Sequence, residues 1–179
     1  MEQQIKIIPC IYGEELSKAA KAYDHAGADA VSYYDTKITA ETVKEITKDI
    51  DIPLYAGGGI EDLEDVKKIL YAGASKVCLG KSVLVDKEIV KKASDRFGKD
   101  QIIVSMDLDT QKDAAAFAKE MARLGAGELL LVSDKGYDGY AELIGQIRET
   151  SGLPVMVSIP DAQEAVRVLK LTEAHDLAV

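Results

Sequence analysis

Apolar residues along this chain follow two rhythms that take turns. Some runs are short and nearly continuous, as expected of strands buried on both faces. Between them, apolar positions recur every three or four residues, as on one face of a helix. Leu16, Ala19, Ala20 and Tyr23 form one such stripe, and Ile60, Leu63, Val66, Ile69 and Leu70 another. The pattern predicts strands over 5–11, 30–35, 77–80, 102–107, 128–133 and 155–158. One more strand runs from Ile52 into Gly57-Gly58-Gly59, and residues 176–179 begin an eighth. Helices are predicted over 14–26, 39–50, 61–74, 86–97, 112–124, 140–149 and 162–171, with Thr39 as an N-cap.

The alternation has an internal period. Gly27-Ala28-Asp29, Gly73-Ala74-Ser75 and Gly125-Ala126-Gly127 each close a helix before an even-numbered strand, and Ala174-His175-Asp176 stands at the fourth such point. A unit of two strands and two helices, repeated four times, makes a (β/α)8 barrel. A doubly wound open sheet usually carries Gly-x-Gly-x-x-Gly after its first strand. Here that place reads Ile11-Tyr-Gly-Glu-Glu-Leu16. The expectation is one barrel domain over residues 1–179.

Composition narrows the function classes. A formal net charge of −9 argues against a nucleic-acid surface. No apolar run is long enough to span a bilayer, and the first residues lack a signal-peptide pattern. Cys10 and Cys78 both fall inside predicted strands, where free thiols in a reducing cytosol are expected. His25 and His175 are far apart, so no metal-ligand spacing exists and no cofactor is implied.

Candidate chemistry belongs at the C-terminal ends of barrel strands. Gly57, Gly58 and Gly59 lead from a strand into a helix, where backbone and helix N-terminus suit a phosphate, or where the glycines only make a tight turn. Gly80 and Lys81 end the fourth strand, as a second contact for that phosphate or as a turn with a solvated lysine. Asp107 ends the fifth strand, as an acid–base group or a loop-ordering carboxylate. Alternation along that strand points Ile103 and Ser105 inward with it. Asp35 has a similar place on the second strand, and Asp134 on the sixth serves as a turn residue. Lys6, Lys76 and Glu128 open strands, either as an ion-pair ring on the barrel floor or as ordinary exposed charges.

Several of these pieces together resemble the cyclase subunit family of imidazole glycerol phosphate synthase, a histidine-biosynthesis lyase. They are Ile7-Ile-Pro-Cys10, Ile52-Pro-Leu-Tyr-Ala-Gly-Gly-Gly-Ile60, Ala72-Gly-Ala-Ser-Lys-Val77, Ala93-Ser-Asp-Arg-Phe-Gly98, Ile102-Ile-Val-Ser-Met-Asp107 and Gly125-Ala-Gly-Glu-Leu-Leu-Leu131. The resemblance implies a cytoplasmic ribulose-phosphate-binding barrel with a phosphate at each end of a long substrate. It also implies ammonia from a glutaminase partner, entering through the floor to cleave and cyclise a phosphoribulosyl aminoimidazole carboxamide nucleotide. Asp107 matches one of two catalytic aspartates, and Tyr12 stands at the other. A phenol, with a pKa of about 10, is a poor general base near neutrality. Lys6, Lys76 and Glu128 match floor-gate charges, while Ala30 replaces a glutamate.

The long loop expected after the first strand is absent. Val157-Ser-Ile-Pro-Asp161 stands where the family has a glycine pair, the loop from Ser133 to Gly139 is altered, and the sequence stops inside the eighth strand before a last helix. Two further readings are therefore a barrel that binds a sugar phosphate or a glutaminase-like protein, and an enzyme using Asp107 alone on a smaller phosphorylated substrate. The uncovered helix seam is expected to be apolar and to serve self-association or a protein partner.

Overall fold

The first strand breaks at Pro9, and the break is where the sheet closes. In the computed structural model, which describes residues 5–161, 163–172 and 176–179, β1 runs over Lys6–Ile8 and resumes at Cys10–Ile11. Proline has no N–H for a ladder, so the strand changes partner there. Its lower half pairs in parallel with β8 (Asp176–Ala178), in the register Lys6 to Asp176 and Ile8 to Ala178. Its upper half pairs with β2 (Val31–Tyr34) through Cys10 and Ser32. The Pro9 carbonyl still accepts from the Ser32 N–H at 2.8 Å.

The other strands follow in chain order, every neighbour parallel: β3 (Leu54–Gly57), β4 (Lys76–Leu79), β5 (Ile102–Asp107), β6 (Glu128–Val132) and β7 (Val155–Ser158). The result is the expected (β/α)8 barrel. The eighth strand is hydrogen-bonded on both sides, to β7 and to β1. Expectations resting on Ala162, Ala174, His175 and the first four residues lie outside the described residues.

Helices jacket the barrel: α1 (Leu16–His25), α2 (Ala40–Thr47), α3 (Leu63–Tyr71), α4 (Lys81–Val85), α5 (Glu88–Phe97), α6 (Ala114–Leu124), α7 (Ala141–Ser151) and α8 (Ala165–Thr172). Thr39 caps α2 as expected, accepting from the Thr42 N–H. The short α4 is additional. It starts at Lys81, where the sequence suggested only a loop.

Buried apolar side chains fall into two clusters, one on each side of the sheet. The larger lies between strands and helices; α6 feeds it with Phe117, Ala118, Met121 and Leu124. Burying each large side chain there stabilises the fold by about 1.5–3 kcal/mol. The smaller fills the barrel's interior with Ile8, Ala30, Tyr55, Cys78, Ile103, Leu130, Met156 and Ala178. Outside the barrel, Ile5, just before β1, and Ile7 on it remain about half exposed. Cys10 and Cys78 are free thiols. No helix among the described residues is long and apolar enough to cross a membrane.

Candidate active site

Strand parity sorts the inward side chains into levels, and the lowest level carries charge. Glu128 opens β6 and is 3% exposed. Its carboxylate meets Lys76 Nζ at 2.7 Å, and that ammonium also lies 4.9 Å from the centre of the Tyr55 ring. Burial pushes the Glu128 carboxyl above its usual range, although Lys76 opposes the shift. Burial alone would lower the Lys76 ammonium, but the charge and hydrogen bond of Glu128 leave it raised. Asp176, also buried, accepts from the Lys6 backbone N–H at 3.2 Å. Lys6, Lys76 and Glu128 thus share the floor end of the barrel with Asp176, a fourth charge that the sequence reading treated only as a strand start.

Above the floor the interior opens into a cavity of about 670 Å³. Its mouth is lined by Asp35, Thr36, Gly58, Gly59, Ile60, Glu61, Lys81 and Ser82, and its depth by Tyr34, Cys78, Ser105, Leu130, Val132 and Ser158. Four of the five residues expected to hold a phosphate cluster here or beside it. Gly58, Gly59, Gly80 and Lys81 all line the cavity. Gly57 does not. A Cβ on Gly57 would come within 2.8 Å of the Cys78 Cβ and 2.9 Å of the Tyr34 ring, so this glycine makes room for the cavity's inner wall.

The other two glycines answer to the backbone beside them. A Cβ at Gly58 would sit 1.8 Å from the Asp35 carbonyl oxygen, and one at Gly59 2.4 Å from that of Thr36. Both have positive φ. Their first duty is to let the β2–α2 loop press against the β3–α3 turn. The α3 N-terminus is also already served by protein groups. Asp62 accepts from the Asp65 N–H at 2.9 Å, and Asp65 in turn accepts from the Glu61 N–H at 3.2 Å. This reciprocal cap leaves an anion at the mouth to the Gly58–Gly59 turn, Lys81 and Ser82.

Asp107 and Tyr12 sit outside the cavity lining. The Asp107 side chain is held by its own loop, accepting from the Asp109 N–H at 2.8 Å and the Thr110 hydroxyl at 3.0 Å. Tyr12 is 85% exposed. Two carboxylates do line the mouth, Glu61 and Asp35, and Asp35 accepts from the Tyr33 hydroxyl at 2.8 Å and the Lys37 N–H at 3.3 Å. The Tyr33 hydrogen bond, ahead of the others, holds Asp35 below the usual carboxylate range.

Asp109 does a different job. It accepts from Tyr140 Oη at 2.7 Å, the Asp134 N–H at 2.9 Å, Ser133 Oγ at 3.1 Å and the Lys135 N–H at 3.3 Å, clamping the β5–α6 loop to the β6–α7 loop. No group of residues suited to a metal ion occurs among the described residues. The sequence reading missed Tyr34 and Glu61. Carrying parity from Ala30 through Ser32 would have placed Tyr34 inward.

Comparison with known proteins adds three findings. A family model described as histidine biosynthesis protein matches residues 10–158. Imidazole glycerol phosphate synthase subunit HisF from Endomicrobium trichonymphae is 37% identical over 169 residues, covering 79% of this chain and 65% of that protein. HisF proteins from an Exiguobacterium species and from Geobacillus thermodenitrificans are each 34% identical, covering 89% and 78% of this chain and 74% and 67% of theirs. The chain thus spans about two thirds of the length of the curated relatives it matches.

Proposed function

Because the chain belongs to the histidine biosynthesis protein family, we propose that it is a cyclase-type lyase barrel of the imidazole glycerol phosphate synthase kind. Its substrate on this reading is a phosphoribulosyl aminoimidazole carboxamide nucleotide, opened and cyclised with ammonia from a glutaminase partner, in the cytoplasm. The family match from residue 10 to 158 carries the reading, since it takes in both the cavity mouth and β5. The substrate's ribulose phosphate end lies at Gly58, Gly59, Gly80 and Lys81, with Ser82 beside them. Asp107 moves protons at the β5 end, where the Asp109 N–H and the Thr110 hydroxyl hold its carboxylate in place. Lys6, Lys76 and Glu128 line the floor facing the glutaminase. The test is turnover of that nucleotide with ammonium ion, followed by product chromatography. Product formation supports the assignment, and its absence under saturating ammonium removes the catalytic half of it.

One observation favours a second reading. Neither Asp107 nor Tyr12 lines the cavity, whereas the phosphate-end residues do. A barrel that binds a sugar phosphate, with little or no lyase activity, accounts for that division. Binding of ribulose 5-phosphate by a chain that turns nothing over separates it from the first reading.

A further inference from the structure

Among the described residues, Tyr34 is the one tyrosine that lines the cavity. Its hydroxyl is buried and has no hydrogen-bond partner among the described residues. Ser32 sits beside it and favours its ionised form, but the Ser32 hydroxyl points to the Pro9 carbonyl at 3.4 Å. Burial, then the neighbouring Cys78 and Cys10, keep the phenol well above its usual range, so it is a neutral donor at pH 7.

A buried hydroxyl without a partner costs free energy that an apolar side chain of the same shape would not. The rest of the structure accommodates this tyrosine at a further cost, since Gly57 must lack a side chain for the ring to fit. Around it the inner wall is mixed. Ser105 Oγ makes a long bond of 3.5 Å to the Leu79 carbonyl and neighbours the Cys78 thiol, which burial keeps protonated with its pKa raised to about 12, and Leu130 and Val132 supply apolar surface. Such a wall suits a short hydroxylated carbon chain better than a second anion, for which this depth offers no cation.

We propose that Tyr34 is a specificity-determining residue. Its hydroxyl takes a hydrogen bond from, or gives one to, the hydroxylated carbon chain of a phosphorylated sugar or polyol whose phosphate sits at Gly58, Gly59 and Lys81. Ser105 supplies a second contact. This inference rests on the proposed phosphate end of the site and adds what lies beneath it. It makes the cavity a reader of two features in one molecule, an anion at the mouth and hydroxyls at the depth.

The experiment compares inorganic phosphate with ribulose 5-phosphate by calorimetry, on the wild type and on Tyr34→Phe, with urea unfolding of both proteins. The wild type is expected to bind ribulose 5-phosphate more tightly than phosphate. Tyr34→Phe is expected to lose roughly tenfold for the sugar phosphate, the order of one buried hydrogen bond, and nothing for phosphate. Its ligand-free unfolding midpoint is expected to hold or rise, because an unpaired hydroxyl has gone. A merely structural role would lower the midpoint and leave the preference alone. Equal loss for both ligands, or an unchanged preference, overturns the role of Tyr34 while the phosphate end stands. A wild type that binds neither ligand overturns both. Ser105→Ala, which keeps Tyr34, is expected to weaken the sugar phosphate alone and by less.

Discussion

Lys76 Nζ and Glu128 Oε2 lie 2.7 Å apart at the bottom of the barrel, on strands β4 and β6, with the carboxylate almost wholly removed from water. Removing one partner of such a pair is worse than removing both. Lys76→Met is expected to destabilise the fold by roughly 2–4 kcal/mol, below the range for fully buried pairs because a quarter of the lysine side chain stays exposed. Lys76→Met combined with Glu128→Leu should recover most of that loss. Urea unfolding of the four proteins of the cycle measures it, and a double variant no better than Lys76→Met refutes the pairing argument.

The raised pKa of Glu128 sets a pH trend of its own. A carboxyl whose folded-state pKa lies above its unfolded value contributes most to stability at low pH, and the contribution is lost as pH rises through the folded value. Asp109 behaves in the opposite sense. Its Tyr140 hydrogen bond, followed by the Ser133 hydroxyl and the Asp134 and Lys135 N–H groups, holds it below the usual carboxylate range. Its contribution is present above the unfolded value and disappears as pH falls through the folded one. Asp109→Asn should therefore lower the melting temperature near neutrality and differ less from the wild type as pH drops below about 4. A constant offset from pH 7 to pH 3 contradicts this.

Catalysis by the proposed cyclase is expected to be slow. A positioned acid or base typically contributes about 10²–10⁴-fold. Tyr12 is open to water, which leaves it outside any desolvated constellation. Ammonium-dependent turnover should fall further in Asp107→Asn and rise in Tyr12→Asp. Turnover indifferent to both substitutions shows that chemistry occurs elsewhere, with Asp35 the next carboxylate to change.

Glycines of positive φ should separate by what surrounds them. Gly58→Ala places a methyl against the Asp35 carbonyl and is expected to cost more than about 3 kcal/mol or to prevent folding. At Gly136 the φ is +77° but a Cβ would meet open space, so Gly136→Ala should cost only about 1–2 kcal/mol. Equal denaturation midpoints for the two variants rule out close approach as the reason for Gly58. A binding experiment that relies on a side chain at Gly58 would measure misfolding as much as affinity.

The barrel was readable because two periodicities and the Gly-Ala repeat agreed at every level, and Thr39 carries out the capping expected of it. The mouth glycines were readable as a turn, but their reason was not. The carbonyl oxygens of Asp35 and Thr36 that forbid a side chain there come from another loop, which no local pattern in residues 57–59 reveals. Asp107 illustrates the limit on polar groups. Its place at a strand end is fixed by sequence, whereas capture of its carboxylate by Asp109 and Thr110 depends on how the loop turns. Tyr34 was hidden for a related reason. Inside a run of β-formers an inward tyrosine and an outward one look alike until the neighbouring strand sets the parity.

Closure at Pro9 also sets the order in which this molecule can fold. The Lys6 N–H bonds to the Asp176 carboxylate across 170 positions of sequence, and among the described residues the lower half of β1 has its ladder partner in Asp176–Ala178. During synthesis that edge stays unpaired until almost the whole described chain has left the ribosome. The sealing contact is among the most distant in the chain, so its loop entropy falls due last and slows the final step. Until then the first strand presents a bare edge with Ile5 and Ile7 beside it, an interval in which a neighbouring nascent chain can pair in place of β8.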